Sequence, residues 1–99
     1  MANGMYDQAK MAMKLKKMQN DLAKEIVEVE AGDGAVVVRV ACDMKLKKVS
    51  IDPDKVDFDD VSELEKWIEL AIREAMNRAQ QTAAEKMKPL MGGLGNLGL

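Results

Sequence analysis

A chain of 99 residues with no histidine and a single cysteine excludes an imidazole general base, a Cys/His nucleophile pair and a structural zinc site. One domain is the most such a length allows, and with 47% hydrophobic but only 3% aromatic residues its core must be built from Ala, Val, Met and Leu. The net charge of −2 is uneven: residues 1–24 carry +3, residues 25–60 carry −5 and residues 61–99 carry 0, an asymmetry that can direct an anionic partner to one part of the surface, while the overall acidity argues against indiscriminate, high-affinity binding to nucleic acid.

The first predicted element is a helix. From Met5 the chain has no Pro, Gly or β-branched residue until Ile26, and Asn3-Gly4 can start the turn. Met11, Leu15, Met18 and Leu22 fall within an arc of about 60° at helical periodicity. Lys10, Lys14, Lys17 and Lys24 fall within a neighbouring arc of about 80°, interrupted by Asp7 and Asp21. The helix thus has a narrow apolar seam, suited to a core or a partner helix, beside a lysine stripe. A stripe of this kind either solvates the helix or meets phosphates.

At Ile26 the period changes to two. Val27 and Val29 alternate with Glu28 and Glu30, Gly32-Asp33-Gly34 marks a turn, and Val36, Val38, Val40 and Cys42 share one face of a second strand. Asp43-Met44-Lys45 is the next turn and Leu46 to Ile51 a third strand, with Val49 and Ile51 on one face. The three strands read as an antiparallel meander with two open edges. Arg39, Lys45, Lys47 and Lys48 either protect an edge or add to a phosphate-binding surface. Cys42, the only thiol, reads as a small buried hydrophobe and fits a reducing cytosol.

Asp52-Pro53 ends the sheet. Asp52, Asp54, Asp57, Asp59 and Asp60 form the one cluster that could hold a metal. An EF-hand loop needs Gly at its sixth position, where this chain has Asp57, so a solvated loop with no metal is expected. No Gly-rich phosphate loop occurs, and no cofactor is expected. The second helix should open on Ser62-Glu63-Leu64-Glu65, a capping box in which Ser62 caps and Glu65 reaches back. Leu64, Ile68, Ala71, Ile72, Ala75, Met76, Ala79 and Ala83 share an arc of about 140°. Pro89 should stop the helix, leaving residues 1–91 as a single domain and residues 92–99 as a flexible Gly-rich tail. No apolar run approaches the roughly 20 residues that cross a bilayer, and no apolar h-region of a signal peptide is visible. Few aromatics and three short strands leave a lone subunit under-buried, so a homodimer is expected.

The ordered set QAKMAMKLKKMQNDL, VEVEAGDGAVVVRV, KKVSIDP and DDVSELEKWIELAIREAMNRAQ, followed by KM and a Gly/Leu/Asn-rich tail, resembles the YbaB/EbfC family of bacterial nucleoid-associated proteins over about Met5 to Lys88. The resemblance implies an α+β fold of order α-β-β-β-α and a homodimer whose helices project like the arms of tweezers. It implies binding to double-stranded DNA, a role in nucleoid organisation or gene regulation, a cytoplasmic, nucleoid location, and no enzymatic activity, small-molecule substrate or membrane partner. Carried over to this chain, the DNA contact would fall on Lys10, Lys14, Lys17 and Lys24, with Arg73, Arg78, Lys86 and Lys88 of the second helix as further candidates. The alternative is a protein–protein adaptor that docks through its Met- and Ala-rich helix faces.

Overall fold

The computed structural model describes the backbone of residues 2–95 and the side chains of residues 8–89. In chain order the elements are α1 (Ala2–Lys24), β1 (Ile26–Ala31), β2 (Val36–Ala41), β3 (Leu46–Ile51), a 3-10 turn (Pro53–Lys55) and α2 (Val61–Gly95). The sheet is antiparallel in the order β1-β2-β3. The α-β-β-β-α order is the one expected.

The buried face of the sheet follows from its register. Val27, Val29 and Ala31 of β1 lie opposite Val40, Val38 and Val36 of β2. α2 lies across these two strands, and its Ala71, Ala75 and Ala79 are buried against them together with Val29, Val36, Val38 and Val40. A side chain no larger than a methyl at every fourth position lets the helix backbone approach the sheet closely. Leu64, Trp67, Ile68, Ile72, Met76 and Ala83 flank this line and complete the cover. α1 adds only its last turns: Leu22 is buried in the same cluster and Met18 packs beside it.

β3 is different. Val38 pairs with Val49 and Val36 with Ile51, so both β3 residues share the face that α2 covers on the other two strands. Between Arg39 and Val40 the register slips, and Lys47 becomes the extra residue of a bulge. Leu46 therefore lies opposite Val40 and joins Val49 and Ile51 on the apolar face. Among the described residues no helix covers them: Leu46, Val49 and Ile51 are 46%, 37% and 44% exposed.

Both predicted hairpin turns are present. Gly32, Asp33 and Gly34 all have positive φ, and the Lys55 ammonium donates to the Asp33 carbonyl at 3.0 Å, tying this turn to the 3-10 turn. In the second turn Met44 has φ +71, and the Asp43 carboxylate accepts from the Lys45 amide at 3.2 Å.

Two expectations at the ends of α2 are corrected. Asp60, not Ser62, caps the helix: its carboxylate accepts the Glu63 amide at 3.2 Å and the Ser62 hydroxyl at 2.9 Å. Asp60 and Glu63 have the same three-residue spacing as Ser62 and Glu65, one half-turn earlier, and Asp is as good a cap as Ser. At the other end Pro89 lies inside the helix, which continues to Gly95. A proline there removes one internal hydrogen bond without ending the helix. The boundary expected after residue 91 falls within α2, and residues 96–99 lie outside the described residues.

The molecule is long for its mass. Its radius of gyration is 19.3 Å and its extents are 69 × 23 × 16 Å, whereas a compact chain of this length would have a radius near 13 Å. The difference comes from the helices. α1 has 23 residues and α2 has 35, lengths of roughly 34 and 52 Å, far more than a six-residue strand can underlie.

Candidate nucleic-acid interface

Lys10, Lys14, Lys17 and Lys24 are all exposed on α1. Among the described residues none of the four lies within ion-pair distance of a carboxylate. Lys14, Lys17, Met18 and Asp21 line a shallow groove along this face, so Asp21 sits within the row and lowers its net charge. Beside the row, Met11 and Leu15 of the apolar seam are 41% and 39% exposed, because the sheet reaches only Met18 and Leu22.

The basic residues of α2 are in a different state. Arg73 hydrogen-bonds to Glu69 at 2.5 Å and Arg78 to Glu74 at 2.6 Å, each one helical turn away. Lys86 pairs with Glu25, which lies between α1 and β1. Lys88 is exposed and makes no ion pair among the described residues. On the outer face of the sheet Arg39 bonds to Glu28 at 2.8 Å across the first hairpin, while Lys48, opposite Arg39 on β3, is exposed. Among the described residues three of the four α2 candidates are therefore matched by carboxylates, and the four α1 lysines are not. Sequence spacing shows the Glu69–Arg73 and Glu74–Arg78 pairs as i, i+4 contacts. It carries no signal for Glu25, which meets Lys86 only through the fold.

The acidic loop is occupied with its own backbone. The Asp52 carboxylate accepts the Asp54 amide, Asp57 accepts the Asp59 amide, and Asp60 caps α2. Among the described residues no three carboxylate or thiol groups converge as ligands would. Phe58, at the tip of this loop, is exposed.

At the junction of α1, β1 and α2 two groups hold their protons more tightly than usual. The hydrogen bond from Lys86 to Glu25 raises the lysine, against a smaller opposing effect of desolvation, with the charges of Glu25 and Asp21 adding to the rise. Burial raises the Cys42 thiol, and the nearby Glu25 and Asp43 carboxylates raise it further, while Lys86 and a Thr82 hydrogen bond oppose them. Both groups bind protons better folded than unfolded. Their contribution is complete below the unfolded values, near 8.5 for a thiol and 10.4 for an ammonium, and is lost as pH rises through the folded ones. Melting temperature should therefore fall from about pH 9 upward. Cys42→Ala should remove the onset of that fall and leave its higher-pH part, measured by thermal melts from pH 7 to pH 11.

Among the described residues no helix is long and apolar enough to cross a membrane. The sequence matches the model of the YbaB/EbfC DNA-binding family over residues 1–94. It is 41% identical over 87 residues to a nucleoid-associated protein of Chloroflexus aurantiacus, covering 88% of this chain and 87% of that one. A nucleoid-associated protein of Ruminiclostridium cellulolyticum is 36% identical over 97 residues, covering 98% of this chain and 84% of its own length. The crystal structure of an uncharacterized protein from Helicobacter pylori superposes with a TM-score of 0.62 at 16% identity, covering 88% of this chain and 96% of that chain, and so shares the fold. This family is a DNA-binding one and not a family of enzymes. With the family model spanning nearly the whole chain and relatives this similar over most of theirs, the protein belongs to the YbaB/EbfC DNA-binding family.

Proposed function

We propose that this protein binds double-stranded DNA as a homodimer, mainly through phosphates, and acts in the cytoplasm on the nucleoid, in its organisation or in gene regulation. The observation that carries the reading is the row of Lys10, Lys14, Lys17 and Lys24, exposed on a helix that extends well beyond the sheet and without carboxylate partners among the described residues. Four ammonium groups along one helix face match a run of phosphates by charge and carry no base preference, so any specificity comes from DNA shape. On α2, Lys88 is a further exposed contact, Arg73 and Arg78 reach phosphate by giving up exposed pairs within the helix, and Lys86 contributes least because Glu25 holds it. A duplex titrated at two salt concentrations tests the reading: affinity should fall steeply with salt as counterions are released. Affinity that ignores salt would refute it.

The apolar strip of Leu46, Val49 and Ile51 supports the homodimer. It continues the buried face of the sheet, and a second copy would supply the cover that α2 gives the other two strands. Val49→Asp should therefore convert the dimer to a monomer in sedimentation equilibrium while the α2-covered strands keep their secondary structure. A variant that stays dimeric would place the subunit contact elsewhere.

A protein–protein adaptor is the second reading, favoured by the exposure of Met11 and Leu15 on α1. A dock of that kind would hold its affinity, or gain it, as salt rises.

A further inference from the structure

We infer that Glu25 sets the DNA affinity of this protein by withholding Lys86, the cation that would carry the lysine row of α1 onto α2. The inference rests on the DNA-binding reading above. Lys86 stands at the foot of the row: it pairs with Glu25, the residue that follows Lys24 and lies one turn beyond Asp21, which lines the same groove as Lys14 and Lys17. Its ammonium is bound to Glu25, whose backbone is held on both sides. The Glu25 amide donates to the Asp21 and Leu22 carbonyls at 3.2 and 3.3 Å, and the Glu25 carbonyl accepts from the Cys42 amide at 2.9 Å. The Arg73–Glu69 and Arg78–Glu74 pairs, by contrast, lie within one helix with both side chains more than half exposed. Phosphate competes readily with pairs of that kind. The Lys86–Glu25 pair joins two elements, is 42% and 37% exposed, and has its acceptor held on a backbone bonded on both sides. It therefore keeps Lys86 from phosphate while leaving it near enough to the surface to be released. Glu25 thus acts on DNA through Lys86, as a positioning residue.

The test is a double-mutant cycle of E25Q and K86Q on the full chain, read as affinity for a duplex and as the slope of log affinity against log salt. E25Q should raise affinity about fivefold near 0.1 M salt and steepen the slope by about one unit, the effect of one added phosphate contact. Both gains should vanish in the E25Q, K86Q double variant, so that K86Q costs several times more in the E25Q background than in the wild type. Glu65→Gln, which removes the same charge at an exposed site on α2, should change affinity much less and leave the slope alone. Equal gains from E25Q with and without Lys86 would reduce the effect to lost negative charge and overturn the inference. So would an E25Q variant with wild-type affinity and slope. In both cases the wild type still binds DNA and the broader reading stands. A wild type that does not bind the duplex defeats both together.

Discussion

Gly32→Ala should lower the melting temperature by roughly 10–20 °C, the largest loss of stability expected from one added methyl in this chain. Two costs meet at this residue. Its φ is +63, which an L side chain adopts at a cost of about 1–2 kcal/mol. A Cβ would also stand 2.6, 2.7 and 2.8 Å from three atoms of the Trp67 ring, which lies flat against the turn. Relieving that overlap by moving the only Trp in the chain should cost about 1–3 kcal/mol more. The comparison at Gly34 separates the two costs. There φ is +89, but a Cβ would meet only the Lys55 ammonium at 3.0 Å and the Glu30 carboxylate at 3.8 Å, both at the ends of flexible side chains. Gly34→Ala should therefore show the backbone cost and at most a displaced Lys55 hydrogen bond, without the ring overlap. Adding Gly32→Ala to a Trp67→Ala background should likewise cost less than adding it to the wild type. Equal losses at Gly32 and Gly34 would show that the ring moves aside freely.

Changing Lys14 and Lys17 together to Gln should weaken DNA binding about equally on all sequences and shrink the slope of log affinity against log salt by about 2 units. Both side chains are exposed, neither pairs with a carboxylate among the described residues, and Gln is a good helix former, so the fold and oligomeric state should be unchanged. Asp21 offers a check in the opposite direction. It lines the same groove, and Asp21→Asn should strengthen binding. Unchanged affinity and slope in the lysine variant would make the row a solvated face and favour the adaptor reading.

The strands were legible because alternation survives in VEVE and VVVRV, where every second residue is a Val that ends up covered. The α2 stripe was legible for the same kind of reason: Ala71, Ala75 and Ala79 recur at helical spacing and are buried. Its cap was not, because DDVSELE contains two overlapping three-residue spacings and the sequence alone does not rank Asp60 against Ser62. Pro89 misled because a proline removes one internal hydrogen bond and does not by that alone end a helix, and α2 runs on to Gly95. The bulge at Lys47 was hidden in a pair of lysines, which look alike on either face of an edge strand. At the candidate interface the lysine row could be read from spacing on one helix. The match between Lys86 and Glu25 could not, since it depends on where α2 leaves the sheet.

The sheet's buried face has a consequence for the order in which the chain acquires structure. Its two hairpins join neighbouring strands, so their pairings close short loops. The cover for those strands comes from residues such as Ala75 and Ala79, about 40 to 50 positions further along than Val29 and Val36. During synthesis, at about 5–20 residues per second, several seconds separate completion of the valine strands from arrival of the helix that shields them. Over that interval the nascent protein presents a ready-made sticky surface. Synthesis interrupted before α2 is complete should therefore yield aggregates instead of a shorter working protein.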